Sequence, residues 1–218
     1  MTTIQQESVA CQIGCRIYTG LDKIKGQSHQ SPDTIKLVQS IRPSGKAQMK
    51  GKDCLYHPNA QFRLRYPSML KYPGVAIEVS WGQSWGGKEG LEKKMGDLME
   101  VGGSTTRVVI GVMLSESASG DLNMSSSLWR LTTPDSSNAL KVAWDRVWDR
   151  VEIVPGDEHI LRLTLDDFIS PDTATKHFPG ADLDAEVLIP LGCIYEDAKC
   201  AFELWQLENQ EDQDKARV

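Results

Sequence analysis

The order of apolar patterns along the chain predicts an α/β fold, a mixed sheet flanked by helices. Two short and almost continuously apolar runs, Val75 to Ser80 (VAIEVS) and Arg107 to Leu114 (RVVIGVML), read as strands buried on both faces. Between them, Leu91 to Val101 (LEKKMGDLMEV) sets Leu91, Met95, Leu98 and Met99 at helical spacing, and Gly102-Gly103 closes the segment as helix C-termini prefer. Strand, helix and buried strand in succession make a parallel crossover.

The remaining elements follow in order. Ile4, Val9, Ile13, Ile17, Leu21 and Ile24 recur mostly every four residues, the stripe of an amphipathic helix that ends at Gly26. Thr34 to Arg42 (TIKLVQSIR) reads as a strand and Pro43-Ser44-Gly45 as a turn. Asp53 to Leu64 (DCLYHPNAQFRL) is strand-like at both ends with a Pro-Asn break in the middle. Gly82 to Gly90 is a glycine-rich lip carrying Trp81 and Trp85. Ser126 to Leu131, Ala139 to Val154 and His159 to Leu165 read as further strands, Pro171 to Asp184 as a long loop, and Gly192 to Leu207 as a helix burying Ile194, Ala198, Ala201, Phe202 and Trp205. In WDRVWDR, Trp144, Arg146, Trp148 and Arg150 would share one face of a strand, suited to cross-strand pairing or to stacking bases. These elements make a single domain over 1–207, and the polar Glu208 to Val218 (ENQEDQDKARV) is expected to be a flexible tail.

Charge and cysteine usage narrow the function classes. A net charge of −6 counts against a protein that lives on non-specific phosphate contacts. The start has no basic segment followed by an apolar one, and no apolar run approaches the roughly 20 residues of a membrane span. An intracellular protein without a membrane role is therefore expected. The spacings Cys11/Cys15 and Cys193/Cys200 match one helix face and not a zinc knuckle, so the five cysteines read as buried free thiols in a reducing compartment. His29, His57, His159 and His177 show no ligand spacing, GQSWGGKEG lacks the order of a phosphate loop, and no G-x-S-x-G elbow occurs.

One residue stands out: Glu78, an acid where a buried strand leaves the core. It would pair with an arginine such as Arg63 or Arg107, cap the next segment, or hold a ligand. HPNAQF at 57 to 62, then YPGVAIEVSWGQS, a helix, TTRVVIGVML and SSLWRL resemble a group of uncharacterised fungal proteins related to the restriction-endonuclease-like, PD-(D/E)XK superfamily. The likeness spans about residues 30 to 135.

The resemblance implies a restriction-endonuclease-like core with extra C-terminal strands and a helix. It also implies a site in which Mg²⁺ or Mn²⁺ would lie between Glu78, Asn59 and the backbone oxygen of Val79, with Ser80, Lys93 or Lys94 positioning water. Two positions depart from the superfamily pattern: Pro58-Asn59 stands for Pro-Asp, and Ser80 stands for the lysine two residues after the acid. Glu7 would be a third acid, whereas Asp53 lies roughly 20 Å from Asn59 along a strand, too far to share an ion. Two functions follow: a degenerate nuclease fold that binds a protein or nucleic acid without cleavage, or a metal-dependent nuclease. Arg63, Arg65, Lys71 and Lys88 are the candidate nucleic-acid contacts, and an apolar rim in their place would favour a protein partner.

Overall fold

Helix α1 (Ile4–Gly26) forms where the stripe places it, burying Val9, Ile13, Ile17, Leu21 and Ile24. The computed structural model describes residues 4–50, 55–65, 72–82, 85–86, 90–132 and 143–215. A six-stranded sheet takes β1 (Ile41–Pro43), β4 (Ala60–Leu64), β5 (Val75–Trp81), β6 (Val108–Glu116), β7 (Leu122–Thr132) and β8 (Ala143–Ile153) in that spatial order. Strands β5 and β6 are parallel, joined through α3 (Leu91–Gly102), and every other neighbouring pair is antiparallel. The mixed sheet flanked by helices is thus present. Two small two-stranded antiparallel sheets complete the described strands: β2 (Met49–Lys50) with β3 (Leu55–Tyr56), and β9 (Ile160–Thr164) with β10 (Glu186–Pro190).

Alternation along β5 and β6 divides the core into two layers. Val75, Ile77, Val79, Val108, Ile110 and Val112 pack with α1 and with Ile194, Ala198 and Phe202 of α5 (Leu191–Lys215). Ala76, Val109 and Met113 face the other way, onto Leu91, Met95, Leu98 and Met99 of α3 and onto Trp129. Gly111 is what lets α3 come close: a Cβ there would lie 2.3 Å from the Met95 sulfur. Gly111→Ala is expected to cost about 1–3 kcal/mol by overpacking, read as a lower urea midpoint with an unchanged slope.

Two expected elements come out differently, for one reason. Thr34 to Arg42 is not a strand: α2 (Pro32–Ser40) occupies it, and only Ile41–Pro43 is extended. The expected loop from Pro171 begins with α4 (Pro171–His177). Both helices open on the same tetrapeptide, Ser31-Pro32-Asp33-Thr34 and Ser170-Pro171-Asp172-Thr173. The serine oxygen accepts the threonine N–H at 3.0 and 3.4 Å, and proline starts the helix at a position that needs no N–H. Local capping outweighed β-branched residues in the first case and polarity in the second. Strand β10 follows the expected loop, in a stretch to which no element had been assigned, and α5 continues past Leu207 to Lys215, through most of the expected tail.

WDRVWDR does not present one face. Leu128 pairs with Trp148 and Trp129 with Arg146, which leaves Val147 without a partner, and Ser126 pairs with Val151, which adds a second irregularity. Arg150 there takes φ 53°, with its N–H donating to Ser127 Oγ at 2.8 Å. Trp144 therefore packs on the α3 side and Trp148 on the α1 side. Arg146 lies over the Trp129 ring at 4.8 Å, and both Arg146 and Arg150 pair with Glu92 of α3.

Candidate functional site

Glu78 is the central residue of β5 and not its end. What ends at this level is the neighbouring ladder. Strand β4 begins at Ala60, opposite Ile77, and Pro58 ahead of it has no N–H to continue the pairing. Asn59 takes over with its side chain: its Oδ1 accepts the Val79 N–H at 2.7 Å, while its own backbone N–H donates to the Glu78 carboxylate. Asn59 and Glu78 are each 9% exposed, so these bonds satisfy groups that water reaches poorly.

Helix α3 supplies the counter-charge. Lys94 Nζ lies 3.6 Å from Glu78 Oε1. Of the two lysines named from the sequence only Lys94 reaches the acid, since Lys93 pairs with Asp97 one turn on. Glu78 sits opposite Gly111, over which Met95 closes, so its surroundings combine the Lys94 ammonium with apolar cover. Burial pushes Glu78 up to about 7, against the pull of Lys94, the Asn59 amide and Lys46. Lys46 is a residue that sequence reasoning missed, lying in the turn after β1. It pairs with Glu7, so the third acid enters the site through a lysine.

The other candidates have different surroundings. Ser80 is fully buried and shares the Glu78 side of the strand by alternation, while the Val79 side chain lies in the α1 core. Arg63 is buried, and its guanidinium is spent on Gln61 Oε1 at 3.0 Å and on the carbonyls of Ala47 and Gln48 at 3.3 and 3.2 Å. Arg65 is exposed at the end of β4. Arg107, an expected partner for Glu78, instead pairs with Asp166. Lys71, Lys88, Asp53 and Cys54 lie outside the described residues.

Beside the clasp, a cavity of about 770 Å³ opens between α1 and the β1–β4 side of the sheet. Its walls are mainly apolar: Cys11, Cys15 and Tyr18 of α1 share it with Pro43 and Phe62, and Glu7, Lys46 and Asn59 contribute polar groups. The signal for it was a second stripe on α1, Glu7, Cys11, Gly14 and Tyr18, offset from the core stripe. Here the cysteine reading is corrected: Cys11, Cys15 and Cys200 are exposed and Cys193 is half-buried. The thiols sit on helix faces turned from the core, and their spacing could not show which face that was. Among the described residues no group of three or more His, Cys, Asp or Glu side chains is placed to share a metal ion, and no helix is long and apolar enough to cross a membrane.

Fold and site together define an α/β protein with a mixed sheet and one ion-paired carboxylate in the middle of its parallel strand pair. No family model, curated protein or solved structure matches the chain.

Proposed function

We propose that the chain is a degenerate relative of the restriction-endonuclease-like proteins that works by binding a protein partner without cleaving phosphodiester bonds. The observation that carries the reading is that Lys94 and the Val79 N–H already occupy the groups of Glu78 and Asn59 that an ion would need. An ammonium lies 3.6 Å from the Glu78 carboxylate, and the Asn59 oxygen that would share an ion already accepts the Val79 N–H. One carboxylate beside a resident cation suits a hard divalent ion poorly, because such ions prefer several charged or freely offered oxygens. The order helix, hairpin strands, buried acid strand, crossover helix and parallel strand supports the ancestry. A protein partner is favoured over nucleic acid because the adjoining cavity is walled by apolar groups and Arg63 is spent inside the fold.

Calorimetric titration of Mn²⁺ into the wild type, Glu78→Ala and Asn59→Asp tests the reading. The expected result is no binding to the wild type and new binding to Asn59→Asp, where a second carboxylate joins Glu78. Wild-type binding that Glu78→Ala removes, together with Mn²⁺-dependent cleavage of plasmid DNA or RNA, would establish the metal-dependent nuclease instead, with Mg²⁺ or Mn²⁺ as cofactor. Anisotropy of labelled single- and double-stranded oligonucleotides separates the partner classes: saturable binding at physiological salt would replace the protein partner with nucleic acid.

A further inference from the structure

Cys11 and Cys15 lie one turn apart on α1, the spacing that stacks two side chains on one helix face, and both are exposed and line the cavity. Neither thiol is part of the Glu78 clasp. The surrounding donor set contains little to compete with sulfur. Glu7, on the same wall, is held by Lys46, and Asp197, whose charge reaches Cys15, is held by Arg16 through bonds of 2.6 and 2.9 Å. Tyr18, Pro43 and Phe62 give the site an apolar flank.

Two thiolates one turn apart, with the described carboxylates nearby already paired, select a soft ion over a hard one. They also favour a low coordination number, since among the described residues the cavity wall offers two sulfurs. Burial and the neighbouring Cys11 both raise the pKa of Cys15, so a second negative charge is disfavoured until a cation is shared between the two sulfurs.

We propose that Cys11 and Cys15 form a two-sulfur site for a soft monovalent cation of the Cu(I) type. On binding, two S–H bonds give up their protons to solvent and two sulfur–copper bonds form, with copper remaining Cu(I) throughout. The site is independent of the nuclease ancestry, and an exposed pair beside an open cavity suits an ion that is taken up and handed on.

The test is an anaerobic titration of the full, reduced chain against Cu(I) held by a chromophoric chelator. The wild type should withdraw one equivalent. Cys11→Ser and Cys15→Ser should each weaken binding by at least about 100-fold, since altering even the groups that support a metal ligand costs roughly 10–100-fold. Cys200→Ser and Cys54→Ser should bind as the wild type does, and circular dichroism should be the same for all four variants. Absorption spectroscopy at the copper edge should show two sulfur neighbours. The proposal is overturned if the wild type leaves the chelator's copper untouched, if Cys11→Ser or Cys15→Ser binds as tightly as the wild type, or if Cys54→Ser or Cys200→Ser loses the ion.

Discussion

Glu78→Gln is expected to be more stable than the wild type at and above pH 7, by about 3 kcal/mol, and no more stable near pH 4. The folded chain holds the Glu78 proton up to about pH 7, whereas the ordinary value for glutamate is 4.5. Between those two values the folded state binds more protons than the unfolded one, so stability falls as pH rises through the window. Below it both states are protonated and the penalty disappears. At about 1.4 kcal/mol per pH unit, the interval gives the stated magnitude. Glutamine keeps the shape and can still accept the Asn59 N–H, while its neutral form removes the charge that burial opposes. Lys94 loses its counter-ion, but at 35% side-chain exposure it remains hydrated and the cost is small. Urea unfolding of both proteins at pH 5, 6, 7 and 8 measures the difference. A difference that stays flat across that range would mean that Glu78 is ionised in the folded chain throughout, and the account of its burial would be wrong.

Phe168→Ala is expected to cost about 3–5 kcal/mol, the upper range for a core truncation. Phe168 is 1% exposed and closes a short 3-10 turn, Leu165–Phe168, with its ring edge-on to Phe62 at 6.0 Å. The turn cannot easily collapse into the space left behind. Asp167, 2% exposed, holds Arg130 through bonds of 2.8 and 3.0 Å and also accepts the Thr164 N–H, and Asp166 pairs with Arg107 at the start of β6. The backbone of Phe168 also lies where a Cβ on Gly74 would be, 2.5 Å from its carbonyl oxygen, so the turn is seated against the beginning of β5. Leu188→Ala, at a residue 48% exposed, should change stability by less than about 0.5 kcal/mol and serves as the comparison. A loss below about 1 kcal/mol for Phe168→Ala would show that the turn relaxes and that its anchoring contacts are weak.

The two variants divide the molecule usefully. Phe168 reports whether the C-terminal turn, α1 and the sheet share one core, and Glu78 reports on the charge set inside the opposite layer. Neither result depends on what the protein binds. The metal titration of Asn59→Asp does, and it reads the same clasp from the other side.

The elements legible in the sequence were those whose signal is local and periodic. Val75 to Ser80 and Arg107 to Leu114 announced strands buried on both faces, and the helix between them forced the crossover to be parallel, as it is. The four-residue stripe gave α1 its core face. The misreadings were local too. Ser31-Pro32-Asp33 and Ser170-Pro171-Asp172 are helix starts, and weighing the β-branched and polar residues after them ahead of the cap concealed α2 and α4. At the site, Glu78, Asn59 and Lys94 were grouped from the sequence around an ion, but the direct bonds between them were not foreseen. Alternation could not show that Val147 would be left unpaired and send Trp144 and Trp148 to opposite faces.

By itself the sequence determined the class of fold, the buried strand pair and the anomaly of an acid inside it, because hydrophobic period and burial pattern act within a few residues. Tertiary structure alone decided what the acid does. Lys94 comes from a helix sixteen residues later, Asn59 from the bend just ahead of β4, nineteen residues earlier, and Lys46 and Glu7 from farther still. Which cation neutralises a buried charge depends on the packing of α3 over Gly111 and on where β4 begins beside β5, and those are settled only when the layers close.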